Sequence, residues 1–235
     1  MSSEAQTSPS PVLQRWKMSD AGIVGLVFIV ALGIGIWLAP NARTTLPSVH
    51  ATYYQRSQVS LLVAIFAQLV AVTFTVVAIG RTRGIGDPLS SIGWNPNRYI
   101  GSCALVGLGL AAVITIALTL TFGGVSKFRD GFAPLSILLY VLTTVLVQPF
   151  MEEYYFCGVL FIAVSERFGQ FGTVALTSLL FGLYHVGGYR IILVFLTVGV
   201  VLAIARIKTR SVAACFALHA AYNVGILVYG FLLGR

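Results

Sequence analysis

The sequence predicts an all-α integral membrane protein, a bundle of about seven transmembrane helices, and three observations carry that prediction. Hydrophobic residues make up 57% of the 235 residues and charged ones 9%, too little polar surface to coat a water-soluble globule. The apolar residues gather in seven runs near the length that an α-helix needs to cross ~30 Å of hydrocarbon. The Lys and Arg residues behind the net charge of +8 lie in the connectors between runs, as topology signals do. They form no single stripe, so nucleic acid is not an expected partner.

Residues 1–19 are rich in Ser, Pro, Gln and Thr and read as a disordered tail. Arg15, Trp16 and Lys17 close it as a basic and aromatic anchor at the lipid interface. The transmembrane domain is expected over 20–235. Its first run, 20–39, is longer than the ~7 to 15 residue core of a signal peptide and lacks a clear small-residue cleavage site, so it reads as a retained helix. A loop with Pro40, Arg43, Pro47 and Arg56 leads to the second span, 59–80. The connector 81–98 follows, with the turn signals Asp87-Pro88 and Asn95-Pro96. The third span, 99–122, is rich in Gly, Ala and Leu, a composition that lets helices approach closely. Pro134 stands where a first helical residue would be and opens a fourth span that ends at Glu166 and Arg167. The fifth, 170–186, is broken by Gly187 and Gly188. The sixth reaches 205, and after Arg206, Lys208 and Arg210 the seventh covers 211–233. An amino terminus in the cytoplasm puts nine of the fifteen basic residues on that side, as the positive-inside rule prefers. A multi-pass protein of a bacterial plasma membrane is the expected setting. Cys103, Cys157 and Cys215 fall within apolar runs, show no C-x-x-C spacing and predict neither a disulfide framework nor a cysteine-based metal site.

Against this apolar background the polar residues at membrane depth are conspicuous. The fourth span carries Glu152 and Glu153 side by side, although an acidic group near the bilayer centre costs ~2.5 to 3.5 kcal/mol on insertion scales. Thr144, Gln148 and Glu152 recur at i, i+4 and i+8. Pro149 has no N–H to donate, and in an α-helix this frees the Val145 carbonyl. The fifth span ends in Phe181-x-x-x-His185. The seventh stacks His219 and Asn223 on one face, with Cys215 a turn before. A lone histidine or asparagine in a membrane helix is as readily explained as interhelical glue, and a glutamate pair as an ion pair or proton-handling site. Three helices that each bring such groups to membrane depth point to a site.

The chemistry these groups suit is peptide hydrolysis. A carboxylate in a dry cavity can take a proton from water, a general-base contribution of about 10² to 10⁴ in rate. A histidine opposite can orient that water, and a His and Asn one turn apart can stabilise an oxyanion. Zinc held by Glu152, His185 and His219 would use much the same set. The residues alone leave both open, so the cofactor expectation is either none or a divalent metal such as zinc. Counting ~1.5 Å per residue leaves one tension: His219 lies near the cytoplasmic end of its span, whereas His185 lies about 22 Å along a helix that starts on the same side.

Taken in order, Glu152-Glu153, Phe181-x-x-x-His185 and His219-x-x-x-Asn223 resemble the three motifs of the CPBP family of intramembrane proteases, the CAAX protease and bacteriocin-processing enzymes. The resemblance covers about 137–230. It implies that Glu152 and His185 activate the attacking water, that His219 and Asn223 form the oxyanion hole, and that Glu153 and Phe181 support them. It also implies an intramembrane endopeptidase acting on a hydrophobic or C-terminally prenylated protein or peptide. The chain departs from the family at one place: where the first motif ends in arginine, this chain has Cys157. Glu153 is thereby left protonated, free to act differently, or paired with a distant base such as Arg190, and a non-catalytic scaffold or immunity-type protein of the same fold, binding hydrophobic peptides, is the alternative.

Overall fold

The computed structural model of the protein describes residues 16–45, 53–122, 134–185 and 189–233. They form α1 (Met18–Thr45), α2 (Tyr53–Arg83), the short α3 (Pro88–Ser91) and α4 (Ile100–Phe122), followed by a long composite helix. The composite runs through α5 (Pro134–Leu142), a π-helical segment (Thr143–Val147), α6 (Gln148–Glu153), a second π-helical segment (Tyr154–Leu160) and α7 (Phe161–Tyr184); α8 (Tyr189–Thr209) and α9 (Val212–Leu233) complete the bundle. No strand occurs among the described residues.

Five stretches are long and apolar enough to cross a membrane: 65–83, 100–121, 138–184, 189–209 and 212–230, with a shorter apolar helix at 18–34. The third is two spans. Within α7, Gly169 takes φ 63° and ψ −175°, a conformation open essentially to glycine alone, and the chain doubles back there. The reversal shows in the rings: Phe156 lies edge-on to Phe181 at 5.0 Å and tilts against Tyr184 at 5.8 Å. Counting that hairpin as two, the described residues form the expected seven-helix bundle, a multi-pass integral membrane protein. Phe74, Leu120 and Phe171 face outward with 76%, 82% and 89% of their surface exposed, a distribution stable only against lipid.

The tail over 1–15 lies outside the described residues, but Trp16 does not behave as an interfacial anchor. It is fully buried and donates its indole N–H to Ser91 Oγ at 2.9 Å, because the connector after α2 folds over it. Asp20 fastens the same corner, accepting from the Lys17 amide and pairing with Arg83 at 2.8 Å. The close packing expected of the third span is realised between α4 and α9. A Cβ on Gly107 would collide with the Leu218 carbonyl, and one on Gly225 would stand 2.6 Å from Ala111 Cβ.

The depth tension is resolved by the connector 84–97, which is folded up beneath the bundle. Ile92 is completely buried with its side chain against Gly158, Ser211 Oγ donates to the Asn95 carbonyl, and the Val212 amide donates to the Gly93 carbonyl. Helix α9 therefore starts inside the bundle, near the level of Gly158. From there His219 needs only two turns to reach the glutamates, while α7 runs on past this level before its reversal at Gly169.

Candidate active site

Pro149 explains the local distortion that carries the glutamates. The Gln148 amide bonds back five residues to the Thr143 carbonyl, and in this π register the acceptor that Pro149 leaves unfilled is Thr144, not the Val145 of an ideal α-helix. Asn223 fills it, donating Nδ2–H to the Thr144 carbonyl at 2.8 Å. Asn223 thus ties α9 to the glutamate helix and keeps one further N–H.

Glu152 and Glu153 are both completely buried. Glu152 Oε1 accepts from Gln148 Nε2 at 2.8 Å, while its Oε2 has no hydrogen bond. Facing Oε2 stand His185 Nε2 and His219 Nε2, each at 3.8 Å. The acceptors on the far sides of the rings decide the tautomers. His185 Nδ1–H donates to the Phe181 carbonyl at 2.9 Å and His219 Nδ1–H donates to Glu153 Oε1 at 2.8 Å, since a carbonyl and a carboxylate can only accept. Both Nε2 atoms therefore turn toward Glu152.

Aromatic rings hold these imidazoles. Phe195 of α8 stacks on His185 with centroids 3.5 Å apart, Phe181 tilts against it at 4.8 Å, and Phe181 also meets His219 edge-on at 5.7 Å. The structure brings together all six residues that the sequence singles out: Glu152, Glu153, Phe181, His185, His219 and Asn223. Glu153 takes His219 as its partner, while Arg190 donates Nε–H to the neighbouring Tyr189 hydroxyl.

Two functional neighbours escape sequence reasoning. Arg206, read as a connector residue, is a buried member of α8: its Nε–H donates to the Cys157 carbonyl and its Nη2–H to the Ile92 carbonyl, both at 2.9 Å. Arg206 thus braces the backbone of the glutamate helix at position 157 from α8. Gln68 of α2 is the other, buried and donating to the Phe28 carbonyl and the Tyr184 hydroxyl next to His185. Gln68 could have been suspected as an isolated amide in an apolar run. Nothing in the order of residues separates Arg206 from Lys208 and Arg210.

The predicted zinc set is less compact than its sequence suggests. Among the described residues, the group whose ligand atoms all lie within 4.8 Å of one another is Glu153, Cys157 and Cys215. Glu152, His185 and His219 do not close to that span.

Comparison with known proteins agrees with the motifs. Residues 134–225 match the family model described as type II CAAX prenyl endopeptidase Rce1-like. A curated relative, the membrane-embedded CAAX protease MroQ of Staphylococcus aureus (strain USA300), is 26% identical over a 151-residue alignment that covers 58% of this chain and 61% of the relative. No solved structure matches the chain. The matched segment, which is under half of the chain, holds every one of the six converging residues, and over it the chain is similar to CAAX-protease-like membrane proteins.

Proposed function

We propose that the protein is an intramembrane endopeptidase in which Glu152 and His185 activate a water molecule to cleave a peptide bond of a hydrophobic or C-terminally prenylated substrate. The observation that carries this reading is the arrangement around Glu152 Oε2, a buried carboxylate oxygen with no hydrogen bond and two imidazole Nε2 atoms 3.8 Å away. With its proton on Nδ1, neutral His185 turns an acceptor toward a second acceptor. A water can satisfy both by donating one hydrogen to each, which leaves its lone pair free for attack. Glu152 takes the water proton. His219, held through Nδ1–H by the Glu153 carboxylate and carrying a second proton on Nε2 as imidazolium, and the second N–H of Asn223 then stabilise the developing oxyanion. This route uses carboxylate and imidazole groups of the chain. A divalent ion at the same place would be held by Glu152, His185 and His219 and would supply Lewis-acid activation of the water.

An apolar groove of about 300 Å³ supports a hydrophobic substrate. Leu69, Val72 and Val76 of α2 and Phe150, Met151 and Tyr154 of the glutamate helix line it, on the side of that helix that faces α2. The relative's name, CAAX protease, points the same way. Cys157 in place of the motif arginine is the observation that favours the alternative, a scaffold that binds such peptides without cutting them.

The test is cleavage of prenylated and unprenylated peptides by the purified protein in liposomes, beside Glu152→Ala and with a chelator. Turnover lost by at least 10²-fold in the variant but retained with chelator is the expected result. Loss with chelator would move the chemistry to the metal route. No turnover, with equal peptide binding by both proteins, would establish the scaffold.

A further inference from the structure

Behind Glu152 lies a second cluster that shares only Glu153 with that chemistry. Glu153, Cys157 and Cys215 place a carboxylate oxygen and two sulfurs within 4.8 Å of one another, and all three side chains are at most 3% exposed. Two helices build it: Glu153 and Cys157 sit one turn apart on the composite helix, and Cys215 projects from α9 one turn before His219. Glu153 Oε1 is occupied by His219, but Oε2 is buried without a hydrogen bond. An unpaired carboxylate oxygen next to two thiols is a costly arrangement in an apolar interior.

We propose that Glu153, Cys157 and Cys215 form a structural metal site for a thiophilic divalent cation such as zinc. Two sulfurs and the free Oε2 of Glu153 are a three-donor set that suits zinc, with the fourth position left to a water molecule. Binding converts both thiols to thiolates and releases two protons per ion. The charges then balance inside the bundle. Two thiolates and a carboxylate carry three negative charges, the ion supplies two positive ones, and the Arg206 guanidinium, within electrostatic range of both sulfurs, supplies the third. A void of about 10 Å³ beside Cys157, lined also by Phe181 and Leu202, gives the cluster room to adjust.

The site gives Cys157 a reason to stand at this position. Through Glu153 the ion would also fix His219, because a carboxylate bound to metal on one oxygen still accepts from Nδ1–H on the other and keeps the imidazole in its tautomer. The inference concerns metal content and does not depend on proteolysis.

Cobalt(II) titration of the full-length protein in detergent is the test, read by the thiolate-to-cobalt charge-transfer absorption. One equivalent bound with that band, lost in Cys157→Ser and in Cys215→Ser but kept in Glu152→Gln and in His185→Ala, is the expected result. Kept bands in Glu152→Gln and His185→Ala separate this site from any metal at the catalytic carboxylate, so its failure and that of the proposed protease are read independently. If the cysteine variants fail to fold, the unmodified protein still decides: its cobalt band should appear at one equivalent and be abolished by stoichiometric zinc, which displaces cobalt from a thiolate site. Absence of the band, its persistence in the cysteine variants, or a band that zinc leaves unchanged would overturn the proposal.

Discussion

The bond between Asn223 and the Thr144 carbonyl couples a catalytic-type residue to a backbone defect, and that coupling can be measured. Asn223→Ala leaves the carbonyl without a donor and should lower stability by about 1 to 3 kcal/mol. Pro149→Ala restores a backbone N–H that can take the Thr144 carbonyl in the π register or draw the turn back to α. In that background Asn223→Ala should cost less than half as much. A double-mutant cycle of thermal unfolding in detergent checks this; additive losses would mean that the Pro149 defect and Asn223 act separately. The sequence showed that proline removes a donor four residues on from Val145. It did not show that the register is π and that the orphan is Thr144.

The site residues were legible for a simple reason. Ionisable groups are so costly in lipid that Glu152, Glu153, His185 and His219 stand out in an apolar chain without any coordinates. Their pairing was not legible. That Glu153 orients His219 while Glu152 faces both Nε2 atoms depends on side-chain directions from three helices, and adjacency in the chain says nothing about it.

At the scale of elements, the hairpin at Gly169 and the brace of Arg206 set where the glutamate helix lies. Gly169→Ala should destabilise by about 1 to 3 kcal/mol although its Cβ would meet nothing within 4 Å, because the cost is conformational. Gly169→Asn should give no rescue, since asparagine favours the αL region (ψ near +50°) and Gly169 has ψ −175°. Equal melting temperatures for the wild type and both variants would refute the assignment.

Arg206→Leu orphans two buried carbonyls at once, those of Cys157 and Ile92. The expected loss is about 2 to 6 kcal/mol by summing two such groups, with Arg206→Lys intermediate because an ammonium lacks the planar fork. Chemical denaturation reads this order, and equal stability of the leucine variant would refute the brace. The short helix α3 offers a pH test. Hydrogen bonds from the Ser90 hydroxyl and then from the backbone amides of Leu89 and Ser90 hold Asp87 below the ordinary carboxylate range. Its cap is therefore fully formed above the unfolded-state pKa and is lost as pH falls through the lowered value. The protection of the Leu89 amide, its exchange rate relative to the intrinsic rate at the same pH, should fall only on the acid side.

For the whole molecule, the prediction is sidedness. Ser90, Glu166 and Arg210 line one vestibule of about 560 Å³, so three connectors distant in sequence share one face. Positive-inside placement makes that face cytoplasmic. The native cysteines are all buried, which keeps background labelling low. A cysteine introduced at Ser90 or Lys208 should react with an impermeant maleimide in inside-out vesicles, and one at Tyr189 in right-side-out spheroplasts. The reverse pattern would invert the topology.

Hydrophobicity is an additive property of residues, so the sequence by itself determined the membrane setting, the number of spans and the few groups too polar to be there by chance. Depth and direction are relations between helices, which only the tertiary structure decided. The connector 84–97 lifts the start of α9 into the bundle, Gly169 reverses α7 and π segments re-aim the composite helix. His185 and His219 meet at one carboxylate, and Arg206 meets position 157, because packed backbones place them there, over separations that no periodicity in the chain encodes.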